Sequence, residues 1–420
     1  MAIASFVACT NDEEMNLLTE NLTEESVSVE KRSFQEALEV AQNAPEIFGG
    51  TTTRGELKQV TLANTQYIIS EATTRSESPD TLMYVFNYED NQGFAVVSAN
   101  KSTEALIAVT EHGTYNEETE IENPAFGMYM DMAEQYVSTR GGMIINPTLP
   151  IIKEHKVEHD TTVLYVAPKV ATRWGQTGVE GSYTPNGYSG CANTAMAQIM
   201  CYFGHPTQLS INYPNAPISS LTLNWSAIKE HNIQHLLQSC NASEIAHNSI
   251  GYLHRQLGHL NESTYYQEGT STLTTVVRNT FRTLGYNVSS LNSYNTESLY
   301  SSLVNNNLIY MRGECLNIVA DNDTTFVGHA WVVDGYHKFR VVTSEWSRDA
   351  NLFGAEWELI REYESYTPEY YHINWGWDGS CNGYFAAGVF ATNEAVGYDN
   401  PYNFFENDFK YNVLYFTVTR

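Results

Sequence analysis

The chain has 420 residues, with 22 Lys and Arg against 49 Asp and Glu, for a formal net charge of −27. That sign opposes phosphate contacts, so nucleic acid is excluded as a partner class and a polybasic membrane patch is disfavoured. With 42% hydrophobic residues and 28 tyrosines there is material for a sizeable core over two or three domains, and no apolar run of about 18 residues offers a spanning helix.

At the N-terminus, residues 2–8 form a small, apolar run ending in Ala8-Cys9, followed directly by Asn11-Asp12-Glu13-Glu14. This resembles the end of a bacterial lipoprotein signal, although the basic start is missing and only eight residues precede the cysteine. The expectation is a truncated signal over 1–9, with Cys9 as lipidation site and the protein lipid-anchored at the outer membrane or secreted. Residues 10–32 are acidic and polar and read as a tether. Ser33-Phe34-Gln35-Glu36 is a capping box opening a helix, with Phe34, Leu38 and Ala41 at helical spacing. Residues 49–56 read as loop. Residues 82–88 and 94–99 predict two strands with a turn at 90–93, and 105–109 a third. Asn123-Pro124 predicts a helix start, with Phe126, Met130, Ala133 and Val137 as its apolar stripe. Residues 33–145 thus form an α+β domain; its one histidine, His112, has no catalytic company. Breakers at Arg140-Gly141-Gly142 and Asn146-Pro147 place a linker over 146–165, and a second domain fills 166–420.

The chain after residue 145 holds five of the six cysteines (Cys191, Cys201, Cys240, Cys315 and Cys381), eleven of the twelve histidines and all seven tryptophans. No C-x-x-C pair suggests zinc or thioredoxin chemistry. Loop residues run from Tyr183 to Gly190, and good helix formers follow from Cys191, with Ala195, Met196, Ile199 and Met200 able to pack inward. Cys191 therefore falls in the first turn of a buried helix, where unpaired N–H groups stabilise a thiolate. His329, after Gly328 and before the strand-like Ala330-Trp331-Val332-Val333, suits a general base. Asn374, before Trp375-Gly376-Trp377, offers an amide oxygen to orient the imidazole, and the Trp375 indole a shield over that bond. Gln176, 15 residues before Cys191, offers an amide to an oxyanion hole shared with the Cys191 N–H. Each residue alone has an ordinary structural reading; the ordered set Gln, Cys, His, Asn supplies every role of a Cys-His-Asn scheme.

The segments Trp174-Gly175-Gln176, Gly190-Cys191 with Thr194–Met200, Gly328–Tyr336 and Asn374–Gly379 followed by Asn382-Gly383-Tyr384-Phe385 resemble the streptopain family of papain-like bacterial cysteine peptidases. The resemblance covers about 165–390, and residues 33–140 look like that family's inhibitory propeptide, chiefly in the strand Gly93–Ser98. It implies an α+β, papain-like fold, with a helical side and a twisted antiparallel β side. It also implies a zymogen activated by removal of its N-terminal domain. By resemblance Cys191 is the nucleophile, His329 the base, Gln176 the oxyanion donor, and Asn374 and Trp375 the orienter and its shield. The implied reaction is endopeptidase cleavage through a thioester, without cofactor or metal, on protein or peptide substrates. The chain's own propeptide would act as intramolecular inhibitor, and a membrane would be met only through the lipid. One departure stands out: relatives often carry Pro-Tyr-Asn between the glutamine and the cysteine, where this chain has the stretch 178–188.

Three further features have bland readings. Cys201 is expected in the core. Asp334, five residues after His329, falls on the opposite strand face from it and is disfavoured as orienter. Residues 338–371 read as an excursion beyond the core sheet, with Glu356, Glu358, Glu362 and Glu364 as a solvated face rather than a calcium site. Two alternatives stand beside the peptidase: an inactive binding protein of the same fold, and a thiol amidase acting on cell-wall peptides.

Overall fold

The computed structural model describes residues 31–48, 60–70, 80–116, 118–139, 151–229, 244–267, 269–319, 323–349, 358–365, 369–391 and 411–420. Cys9, most of the acidic tether, the 49–56 loop, the breakers at 140–147, Cys240 and Glu356 lie outside them. In the N-terminal half, helix α1 (Phe34–Phe48) starts at its capping box: the Ser33 N–H donates to Glu36 Oε2 at 2.6 Å and the Glu36 N–H to Ser33 Oγ at 3.3 Å. Strands β1 (Leu62–Ile69), β2 (Thr81–Tyr88), β3 (Phe94–Ser98) and β4 (Leu106–Thr110) make an antiparallel meander. Strand β1 is the one the apolar pattern does not mark, because its sequence is half polar and it pairs on one side only. Helix α2 (Pro124–Thr139) is capped by Asn123, whose Oδ1 accepts the Phe126 N–H at 3.1 Å, and it buries Phe126, Met130, Ala133 and Val137 as the stripe predicts.

In the C-terminal half, β5 (Ile151–Val166) leads to a short helix α3 (Gly178–Gly181) and then to α4 (Cys191–Phe203). Helix α4 stops at Gly204, whose φ of 62° is left-handed, one residue before His205-Pro206. Helices α5 (Glu244–Leu260), α6 (Thr274–Thr283) and α7 (Thr296–Val304) follow. The longer strands of this half are β6 (Leu308–Val319), β7 (Asp323–Asp349), β8 (Glu358–Ser365), β9 (Glu369–Asn374), β10 (Gly383–Ala386) and β11 (Tyr411–Thr419). The residues expected as a linker are largely β5, hydrogen-bonded to the far half of β7; the expected excursion is that same far half with β8 beside it.

Among the described residues one 13-stranded sheet runs through both halves, in the order β1-β2-β3-β4-β10-β9-β7-β6-β11, with β5 and β8 paired to β7 and two short strands paired to β11. The halves join at β4 and β10, where Thr110, Val109 and Ala108 pair antiparallel with Gly383, Tyr384 and Phe385. Side chains alternate across the strands, so the sheet separates two cores. On one face Met311, Trp331, Val333, Trp375 and Phe385 pack with Met128, Tyr129 and Met130 of α2. On the other, Tyr310, Ala330 and Val332 pack with Ala192, Ala195, Met196 and Ile199 of α4. Cys201 is buried in this second core, as expected.

The seam admits little change. A Cβ on Gly383 would stand 2.2 Å from the Val109 carbonyl oxygen and 2.7 Å from Thr110 Cα. Gly383→Val therefore pushes β4 off the edge of β10, at a cost of about 1–3 kcal/mol. Hydrogen exchange of the 106–111 amides should quicken while exchange within α4 stays as it was. Equal exchange at 106–111 would show that the seam is not rigid.

Candidate active site

Gly190 opens α4 in a conformation reserved for glycine, with φ 86°, and a Cβ there would lie 2.9 Å from Thr270 Cβ. Cys191 follows as the first helical residue, half-buried. Backbone N–H groups of Ala330, Ala192 and Cys191 itself face the sulfur, and the Arg312 charge reaches it. Burial outweighs these and pushes the thiol above its ordinary pKa, so the sulfur is protonated at neutral pH in this form.

The Gln176 segment lies against the same helix end. The Ser189 N–H donates to Gln176 O at 2.7 Å, and Thr194 Oγ1 donates to Gly175 O at 2.9 Å. Trp174 is buried, edge-on to His254 at 5.4 Å. The Gln176 Nε2 is buried and has no hydrogen-bond partner. A buried donor left unmade costs about 1–3 kcal/mol, which sets the Gln176 amide apart from an ordinary structural amide.

His329 and Asn374 are placed near but not engaged. Regular pairing with β6 sets His329 opposite Gly313 and Trp331 opposite Met311, so alternation puts His329 on the Trp331 face of the sheet. Ala330, between them, turns to α4 and the thiol. Helix α2 covers the Trp331 face: a Cβ on Gly313 would lie 2.6 Å from Met128 Sδ. No hydrogen bond joins His329 to Cys191 or Asn374; its Nδ1 is buried without a partner, and burial lowers its pKa to about 4. Asn374 donates from Nδ2 to Thr172 O at 2.6 Å and accepts the Gly376 N–H on Oδ1 at 3.1 Å. Trp375 is fully buried between Trp331, Phe385 and Tyr129, and its Nε1 donates to Cys381 O at 3.1 Å. The structure thus unites Cys191, Gln176 and the 329–330 backbone, and leaves the imidazole apart from both thiol and amide.

Asp334, disfavoured above as orienter, belongs to a cluster with His372 and Glu111 that the sequence reading missed. Asp334 is fully buried; its carboxylate accepts the Lys169 and Val170 N–H groups at 2.8 and 2.6 Å and binds His372 Nδ1 at 2.6 Å. His372 Nε2 meets Glu111 Oε1 of the N-terminal half at 3.4 Å, and Arg173 meets Glu111 Oε2 at 3.8 Å. Burial alone would lower His372, but the Asp334 and Glu111 carboxylates outweigh it and raise its pKa to about 10. Burial would raise Glu111; its bond to His372 and the charges of His372, Arg173 and His112 bring it down to about 2. No local pattern signals this cluster, because its members lie 223 and 38 residues from Asp334 in sequence (Glu111 and His372).

The sign of the pH dependence follows. His372, raised from 6.5, contributes stability fully below that value and loses it as pH rises through about 10. Glu111, depressed from 4.5, contributes above that value and loses it as pH falls through about 2. Glu111 is 42% exposed, so solvent screens its share to about 1 kcal/mol or less. Glu111→Gln should lower Tm by about 2 °C at pH 7 and bring the alkaline loss to lower pH. An unchanged Tm profile from pH 5 to 11 would show that the contact is decorative.

The Peptidase C10 family pattern matches residues 173–385, just over half the chain, and the Spi protease inhibitor pattern matches residues 21–137. No curated protein matches the chain. Among solved structures, a fragment of prointerpain A from Prevotella intermedia is similar, at 21% identity over 84% of this chain and 98% of that chain, with a TM-score of 0.49. The resemblance read from the Gln176, Cys191, His329 and Asn374 segments is therefore borne out at the level of the family: the chain belongs to the Peptidase C10 family, the streptopain cysteine peptidases, and is a zymogen carrying its own inhibitor domain.

Proposed function

We propose that the activated protein is an endopeptidase in which Cys191 is the nucleophile, His329 the base, Gln176 the oxyanion donor and Asn374 the residue that orients the imidazole, with Trp375 shielding it. The observation that carries this reading is the buried, unpartnered Gln176 amide on a segment bonded to Ser189, two residues before the Cys191 thiol at a helix N-terminus. Cys191 sulfur attacks the peptide carbonyl, and the oxygen takes up charge between Gln176 Nε2 and the Cys191 N–H. The His329 imidazolium gives its proton to the leaving amine, which departs and leaves a thioester. His329 then takes a proton from water, the hydroxide displaces the sulfur, and the free thiol and a carboxylic acid return.

Activation is by cleavage within 140–165. Since β5 is hydrogen-bonded from Ile151 onward, the cut is expected before that residue. Export, either free or anchored through a lipid on Cys9, belongs to the same reading. Intact mass after incubation in reducing buffer tests processing, and a peptide library then tests cleavage. Internal cleavage of unmodified peptides supports the endopeptidase. Cleavage confined to cell-wall amides would replace it with an amidase, and an unprocessed, unlabelled Cys191 would leave an inactive binding protein.

A further inference from the structure

Glu180 lies on α3, in the stretch where this chain departs from the streptopain pattern between Gln176 and Cys191. It is only 7% exposed, and the mechanism above makes no use of it. Its carboxyl accepts the Gly175 N–H and its own. A second acid faces the same glycine from another element. A Cβ on Gly175 would stand 2.5 Å from both Oδ1 and Oδ2 of Asp378, in the turn after β9. Asp378 itself has a left-handed φ of 55°. The Gly175 peptide is thus gripped by two carboxyls, and the next residue is Gln176 with its unpartnered amide.

We propose that Glu180 is a positioning residue of the oxyanion hole: its buried carboxyl, opposite Asp378, fixes the Gly175 peptide and so sets where the Gln176 amide meets the substrate oxygen. A site for a developing negative charge tolerates one anion nearby far better than two. Burial first, and then the Asp378 charge, push Glu180 up to about 8, which favours its neutral acid form beside the oxyanion. The grip is therefore made without a second charge opposing the oxyanion.

This inference rests on Cys191 as nucleophile and Gln176 as oxyanion donor, and the test separates it from both. Two reagents are compared on the enzyme after processing. Iodoacetamide alkylates the Cys191 thiolate without forming an oxyanion, whereas a peptide aldehyde forms a carbon–sulfur bond whose hemithioacetal oxygen sits in the hole. Glu180→Ala should weaken the aldehyde about tenfold or more. Alkylation at Cys191, read by peptide mapping, should stay within about twofold, as a site still folded requires. Glu180→Gln, which keeps an acceptor for the Gly175 N–H without charge, should restore the aldehyde affinity. In a Gln176→Ala background Glu180→Ala should add nothing, because the two act through one amide. Unchanged aldehyde affinity in Glu180→Ala, additive effects in the double variant, or equal loss of alkylation and aldehyde binding would each overturn the proposal. Absence of alkylation at Cys191 in the activated wild type would instead overturn the nucleophile assignment, and the inference with it.

Discussion

Cys191→Ala abolishes peptide-bond hydrolysis and self-processing while leaving the fold intact. The expected loss of turnover is on the order of 10⁴-fold or more, because without the sulfur no thioester forms and the oxyanion arm alone supplies only residual catalysis. The fold should hold because the position is the first turn of α4, half-buried, where alanine is the best helix former. Turnover on a fluorogenic peptide, beside thermal unfolding, checks both halves. Retention of more than about a hundredth of the rate would remove Cys191 from the chemistry.

His329→Ala carries the second largest effect, about 10³-fold or more on kcat, and its physical argument concerns latency as much as catalysis. In this zymogen the thiol is pushed up and the imidazole down, both by burial, so neither is charged at neutral pH. The strand also separates them: Ala330 faces the thiol and His329 follows Trp331 toward α2. A thiolate–imidazolium pair needs the ring to come round to the α4 face once α2 withdraws. Alkylation of Cys191 should therefore be slow at pH 7 in the full chain and fast after processing, and His329→Ala should erase that gain. Equal alkylation rates before and after processing would mean that latency rests on blocked access alone.

Much of this arrangement was legible in residues that act locally. The capping box at Ser33, the α2 stripe from Phe126 to Val137 and the glycine before Cys191 each state their structure within a few positions. The family was legible in the Gln176, Cys191, His329 and Asn374 segments because residue type and order carry the resemblance. Their separation was not: which face His329 occupies depends on the β6 register and on Met128, a residue of the other half. Glu111, Asp334 and His372 form a cluster only through the β4–β10 seam. Glu180 hid for a similar reason, since its meaning comes from Asp378, almost 200 residues on.

The shared sheet has a consequence for the mature enzyme. While β4 is in place, β10 is an interior strand with both sides paired. Departure of β4 turns it into a bare margin of unpaired N–H and C=O groups, the template on which copies of a protein add to one another. The seam residues Gly383, Tyr384 and Phe385 offer that margin no charge of their own. What opposes such stacking is long-range repulsion between copies: of the chain's net charge of −27, residues 151–420 keep −10, from 15 Lys and Arg against 25 Asp and Glu. Acidity, on this view, is the counterpart of an inhibitor that leaves by unzipping a strand, and salt or low pH should be where the freed enzyme first falls out of solution.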